Sequence, residues 1–323
     1  MPILGSRAGG SAAGFGFGGG KKGLIEATGG VISDCGDYKV HVFTSPGSLS
    51  VSYVSPCSPG AVDYLVVAGG GGSTNDCIPG GAGAGGFRES KQPCAPWTAS
   101  PLASATGITV TASPGSYPVA VGGGGALANS SASPANQGGT STFGPINSTG
   151  GGGGGFGNSA ATSPPFHGQP GGSGSSAGQG NFAARPGGSG NAGGYSPPEG
   201  TPGPAAWTAN NDPVTGGGGG ATASGALPTS PTGTNGGAGA GTQIAPPSYG
   251  EVCGSLRYFS GGGGGSGLGG RGNGGIGGGG DGWAYGQPNN TPLLRNGTAN
   301  TGGGAGKSSN GGSGVVVIRY KYK

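Results

Sequence analysis

The side chains that could carry chemistry are few and far apart. His41 falls on a predicted strand and His167 in a Pro-rich stretch, and neither has a nearby carboxylate to orient it as a general base. Asp34, Asp37, Asp63, Asp76, Glu89, Glu199, Asp212, Glu251 and Asp281 are spread singly, so paired-carboxylate hydrolysis has no support. GxGxxG matches abound, as chance provides in a chain with 90 glycines, but none follows a buried strand and opens an amphipathic helix. Gly306-Lys307-Ser308 is not followed by helix-forming sequence, so a P-loop is not expected either. The 5 cysteines (Cys35, Cys57, Cys77, Cys94, Cys253) lack the CxxC spacing of a zinc site. Up to two disulfides with one free thiol, or five reduced thiols, both fit. Catalysis, a metal site and a cofactor are therefore not expected.

What remains is recognition by aromatic rings. Phe166, His167, Tyr195, Trp207, Tyr249, Tyr258, Phe259, Trp283 and Tyr285, with Trp97 upstream, stand among Ser, Gly, Asn and Pro. That composition is paratope-like, with rigid amphipathic contact groups among adaptable hydrogen-bonders. Aromatic clusters also stack on the apolar faces of sugars. The first nine are the candidate receptor-contacting residues; the competing reading is that such rings merely cover the scaffold that carries them.

The scaffold must be built from glycine. The 323 residues include 90 Gly and 27 Pro, with 7% charged and 31% apolar residues, against about 7% Gly and a quarter charged in ordinary domains. Runs such as 151–155 and 216–220 break the every-third-residue frame of collagen. Strand signals cluster at the two ends. Residues 31–33 and 38–44 flank a turn composition at 34–37. In the second run Tyr38, Val40, Val42 and Thr44 share one face and Lys39, His41 and Phe43 the other. Leu49, Val51 and Tyr53 alternate with serines, 62–68 reads as a buried central strand, and 314–322 is the other strong strand. Short strands are also predicted at 108–111 and 117–121. Pairing of 62–68 with the closing strand would anchor the middle at both ends.

Between them, about ten glycine blocks alternate with Pro-, Ser-, Asn- and aromatic-rich segments at a spacing of 25 to 35 residues. Each Gly costs roughly 1 kcal/mol in an α-helix, which excludes that state. The favoured state is polyglycine II: three residues per turn, ~3.1 Å rise, and outward N–H and C=O groups that can bond neighbouring helices where no side chain intervenes. A disordered glycine-rich fibre and a β-solenoid are the alternatives. The expected fold is mainly β and polyglycine II. Residues 1–22 form an attachment arm, 23–70 plus 313–323 an antiparallel sheet or sandwich, and 71–312 an inserted bundle of glycine-rich helices with variable loops.

The net charge of +4 is sparse and scattered, so a nucleic-acid partner is not expected. Met-Pro-Ile-Leu-Gly-Ser-Arg lacks the apolar region of a signal peptide, and no run approaches ~18 apolar residues, so neither classical secretion nor membrane insertion is expected. Ile3, Leu4, Arg7, Phe15 and Phe17 are candidates for docking the arm on a partner.

Four stretches carry a family resemblance: 5–16, 36–44, Val62-Asp63-Tyr64-Leu65-Val66-Val67-Ala68 with the four glycines after it, and the closing 312–320. Together they resemble glycine-rich structural proteins of marine phages, especially cyanophages, which are often assigned as tail-fibre or other virion proteins. Such relatives tend to carry a second cysteine shortly after the loop at 98–102, where this chain has Ala103-Ser104-Ala105. By that resemblance, a bridge from Cys94 would take Cys77, its nearest alternative. The middle is similar in style to the polyglycine II adhesins at the fibre tips of T-even-type phages, whose glycine helices present variable loops to a bacterial receptor. The resemblance implies a virion protein assembled in the host cytoplasm. It would be a monomer or homotrimer, bound to a fibre shaft or baseplate, whose loops contact a host surface glycan or outer-membrane protein. A structural virion component without a receptor is the alternative, and an ice-binding protein a more distant one.

Overall fold

The computed structural model describes residues 23–75, 78–129, 135–157, 167–179, 185–205, 214–228, 231–284, 286 and 295–323. Phe166, Trp207, Tyr285, Cys77 and the arm candidates Ile3, Leu4, Arg7, Phe15 and Phe17 lie outside the described residues.

Every named element among the described residues is a strand. The first hairpin is β2 (Val31–Cys35) and β3 (Tyr38–Phe43), paired from Val31↔Val42 to Cys35↔Tyr38. The turn composition at 34–37 thus narrows to Gly36-Asp37, with Gly36 at a φ of 62° that a residue with a side chain adopts at a cost. Next to β3 lies the closing strand β15 (Val315–Lys321), and on its other side β5 (Ala61–Val67), both antiparallel. The two apolar runs, one near each end of the chain, do pair, from Val315↔Val67 to Arg319↔Asp63. The sheet continues through β6 (Phe87–Ser90) and β7 (Ala103–Ser104), while β8 (Ile108–Thr109) pairs with the start of β5.

A second sheet runs in the order β1 (Ile25–Thr28), β4 (Gly47–Val54), β9 (Ser116–Ala120), β10 (Ser141–Phe143) and β11 (Ile146–Ser148). The strands β6 to β11 that complete the two sheets come from residues 87–148. Alternation places Tyr64, Val66, Val316 and Ile318 in one core with Leu49, Val51 and Phe143 of the second sheet. The intervening Leu65, Val67, Val315 and Val317 enter a second core with Phe87, Trp97, Ile244 and Phe259. Burial on both faces is why these two strands are continuously apolar rather than alternating. A small third sheet, β12 (Ala240–Thr242), β14 (Leu256–Phe259) and β13 (Glu251–Cys253), borders the second core.

A helical bundle is not among the assigned elements of the glycine-rich region. The region is organised instead by backbone hydrogen bonds whose partners change at each residue and recur at every third. Along residues 80–86, the N–H groups of Gly80, Gly83 and Gly86 reach the carbonyls of Gly155, Gly152 and Thr149 at 2.8–3.0 Å. Those of Gly81 and Ala84 reach Gly216 and Gly219, and those of Ala82 and Gly85 reach Ala305 and Gly302. Residues 69–73 behave alike: Gly69 and Gly72 bond to Gly139 and Asn136, Gly70 and Ser73 to Gly312 and Ser309, and Gly71 to Gly83. A β-strand, with period two, can address only two neighbours in its plane; these segments address three. The approach leaves no room for side chains, because a Cβ built on Gly124, Gly150 or Gly218 would collide with the carbonyl of Gly311, Gly138 or Ala82. Alanines occur where the packing admits a methyl, as at the fully buried Ala82, Ala84, Ala177 and Ala305.

Candidate functional site

The described aromatic candidates fall on different parts of the fold. Tyr195 sits in a loop whose shape is set by two polar residues. Asn191 Oδ1 accepts the N–H groups of Tyr195 and Glu199 at 3.1 and 3.2 Å, and Asn191 Nδ2 donates to the Tyr195 carbonyl at 3.0 Å. The buried Glu199 carboxylate accepts from Thr149 N–H at 2.8 Å and Gly193 N–H at 3.1 Å, tying the loop to β11. A Cβ on Gly193 would collide with the Tyr195 ring, so the ring lies directly on glycine backbone. Its other partner is Arg88, whose guanidinium carbon is 3.9 Å from the ring centroid. The half-buried Tyr195 thus presents a cation-capped ring.

Trp283 repeats the arrangement, with Lys307 Nζ 3.7 Å from its ring centroid. Its carbonyl accepts from Gly267 N–H at 3.0 Å and its N–H donates to Ser266 Oγ at 3.3 Å. Tyr249, Tyr258 and Phe259 group around the third sheet. Tyr249 and Tyr258 are half-buried, Tyr249 packs against the second core, and the Tyr258 ring covers Gly241. Phe259 has no exposed surface and packs in the second core, so as a contact residue it is corrected: its alternation along β14 turns it inward. His167 is half-buried. Cys94 is exposed, and its suggested bridge partner Cys77 lies outside the described residues.

Two carboxylates of the sheets are engaged by neighbouring loops. Buried Asp63 accepts from Gln92 N–H at 2.9 Å, and burial pushes its carboxyl up to about 6. Glu89 accepts Ser100 N–H at 2.9 Å and the Thr242 hydroxyl, and burial pushes it up to about 7. Both staple loops to strand ends. Among the described residues no three His, Cys, Asp or Glu side chains gather as a metal site would require.

A glycine-rich domain model matches residues 44–321. The chain belongs to that glycine-rich domain family. No curated protein and no solved structure matches it. The matched span takes in the sheets from Thr44 onward together with the whole hydrogen-bonded glycine region. The glycine-rich domain is therefore not the glycine blocks alone but the blocks with the strands that hold them.

The sequence did not single out a cavity of about 470 Å³ in this glycine-rich domain, between β2, the Trp97 loop and residues 243–257. It is lined by Trp97, Arg257 and Arg319 among others. A signal existed: an arginine inside the apolar closing strand is an expensive residue to bury without a purpose.

Proposed function

We propose that this glycine-rich domain protein is a non-enzymatic virion component, a tail-fibre adhesin that binds a host cell-surface receptor through loop aromatics. The observation that carries the reading is the three-residue recurrence of the backbone hydrogen bonds. That recurrence is what a polyglycine II bundle produces, since three residues per turn send successive N–H groups in three directions. Such a bundle joins loops from distant parts of the sequence to one rigid body, as a composite receptor-binding face requires. The half-buried Tyr195 and Trp283, carried on loops of that body, are the described rings proposed to contribute to it. The resemblance of the closing strand and its glycine neighbours to phage virion proteins supplies the setting, with a fibre shaft or baseplate as the attachment partner and a surface glycan or outer-membrane protein as the receptor.

The test is adsorption. Virions carrying Tyr195→Ala together with Trp283→Ala, which spare Asn191 and Glu199, should lose host binding while still assembling. Unchanged adsorption, or a position on the head or collar by virion imaging, defeats the adhesin reading. The second reading, a structural virion part without a receptor, is favoured by the inward placement of Phe259 and by the cations already occupying the Tyr195 and Trp283 faces.

A further inference from the structure

The chain contains four Asn-Gly dipeptides, Asn235-Gly236, Asn273-Gly274, Asn296-Gly297 and Asn310-Gly311, and all four lie on described segments of the glycine-rich region. In an Asn-Gly pair the backbone nitrogen reaches the preceding side-chain amide with least obstruction, because glycine has no Cβ in the way. Attack closes a five-membered succinimide. In a folded chain two groups govern its rate: the asparagine amide that is attacked and the glycine N–H that attacks. A hydrogen bond on either must open first.

Three of the pairs are held at both groups. Asn235 Oδ1 accepts Asn273 N–H at 2.9 Å, and Gly236 N–H returns to the Asn273 carbonyl at 2.9 Å. Asn296 Oδ1 accepts Asn310 N–H at 2.9 Å, while Gly297 N–H reaches the Asn310 carbonyl at 2.9 Å. Asn310 Oδ1 accepts Leu127 N–H at 2.7 Å, and Gly311 N–H reaches the Gly125 carbonyl at 2.9 Å. Each of these amides caps an N–H group of an adjacent segment, and each glycine N–H is tied to backbone. Asn273-Gly274 differs in both respects. Asn273 is exposed and, among the described residues, its side chain makes no hydrogen bond. Gly274 N–H donates at 2.9 Å to Asp281 Oδ1, and Arg271 Nη2 lies 3.1 Å from Oδ2 of the same carboxylate. Only that side chain, and no backbone segment, has to move to release the nitrogen.

We propose that Asn273-Gly274 is a self-modification site at which the folded chain deamidates, with water as the only co-reactant. The Gly274 nitrogen bonds to Asn273 Cγ and gives up its proton, the Cγ–Nδ2 bond breaks, and ammonia leaves. Water then opens the succinimide at either carbonyl, leaving an aspartyl or an isoaspartyl linkage at position 273. Both products add a carboxylate to the segment that Asp281 holds. The isoaspartyl product also lengthens the backbone by one methylene between Gly272 and Gly275. The N–H groups of those two glycines reach the carbonyls of Gly265 and Gly262 at 2.9 and 2.8 Å. That three-residue match on both sides is what the added methylene breaks. The site is a one-way record of the age of the folded chain, and it does not depend on the adhesin reading: a chain with no receptor would still be modified.

The full-length protein is incubated at mildly alkaline pH, folded and in parallel unfolded in urea. The four Asn-Gly peptides are followed by mass spectrometry, with chromatography separating aspartyl from isoaspartyl forms. In the folded protein Asn273 should convert at least about fivefold faster than each of the other three, the weight of about one hydrogen bond. In urea all four should convert within about twofold of one another, since glycine follows each. Asp281→Ala, which releases Gly274 N–H, should speed conversion of Asn273 and leave Asn310 unchanged. Asn273→Gln, whose side chain would have to close a six-membered ring, should abolish conversion at that position. The isoaspartyl fraction should melt below the unmodified protein. The deciding comparison is made within the parent protein, so a variant that fails to fold does not affect it. Conversion of Asn273 no faster than that of Asn235, Asn296 and Asn310 in the folded protein overturns the inference. So does a folded protein in which none of the four converts while the urea sample does.

Discussion

His41 Nε2 lies 2.9 Å from the Tyr320 hydroxyl, and Nδ1 of the same ring lies 2.7 Å from the Gly29 carbonyl. A carbonyl can only accept, so Nδ1 carries a proton, and in the neutral ring Nε2 accepts from the Tyr320 hydroxyl. Burial, joined by the charge of Lys39, pulls the His41 pKa below its ordinary 6.5 despite the Gly29 hydrogen bond. A histidine with a lowered folded-state pKa contributes stability that is complete above 6.5 and is lost as pH falls below it. Because the raised Glu89 and Asp63 carboxyls give an opposite gain over the same range, the His41 contribution is read as a difference: His41→Phe should gain stability relative to the parent as pH falls from 8 to 5 in chemical denaturation. Tyr320→Phe leaves Nε2 unpaired and should cost about 1–2 kcal/mol at pH 8.

Glu89 acts in the opposite direction. Burial raises it from 4.5 to about 7 against the opposing hydrogen bonds of Ser100 and Thr242. The folded state therefore holds the proton more tightly than the unfolded chain. The associated stability is complete below 4.5 and disappears as pH rises through about 7. Glu89→Gln, which keeps the shape and remains neutral, should be about 2–3 kcal/mol more stable than the parent at pH 8. It should be equal to it at pH 4, as read by denaturant midpoints.

Two glycines separate crowding from composition. A Cβ on Gly218 collides with the Ala82 carbonyl, whereas one on Gly123 meets nothing within 4 Å. Gly218→Ala should destabilise by roughly 3 kcal/mol or more, because rigid backbone rather than a side-chain end must give way. Gly123→Ala should be neutral or stabilising by about 0.4–1 kcal/mol through the unfolded state. Thermal melts of the two variants provide the check.

Packing and contact roles divide among the aromatics. Phe259→Ala should lower stability by about 3–5 kcal/mol, the cost of an emptied core position. Tyr195→Ala, which removes a ring from an Arg88 contact at the surface, should cost about 1 kcal/mol, yet it should weaken host adsorption if the loop belongs to the receptor face. Paired melting and adsorption measurements on the two variants separate these effects.

The sheets were legible because their signals are local. The alternation of 38–44 and the apolar runs at 62–68 and 314–322 announce strands, and pairing at each end of the middle follows from there being few other partners. The strand read at 117–121 is β9, but β10 and β11 were not visible, since three-residue pieces such as Ser141–Phe143 hold their place through neighbours rather than propensity. The glycine blocks announced close backbone approach, but which block lies beside which cannot be read from residues that are all alike. Among candidate contacts, Phe259 misled because composition does not reveal which way a ring turns. The Arg319 cavity was hidden for a related reason: Trp97, Arg257 and Arg319 are distant in sequence and meet only through tertiary packing.

The hydrogen bonds of residues 80–86 also impose an order in time. These residues bond to neighbours at 149–155, at 216–219 and at 302–305. At a synthesis rate of ~5–20 residues per second, roughly 10–45 s separate the emergence of Ala82 from that of Ala305. Until then the central segment has donors and acceptors facing water or any passing backbone. Nascent chains of this protein are thus exposed to mispairing with one another for most of translation. Slowing the ribosome, which lengthens that exposure, should lower the yield of folded protein.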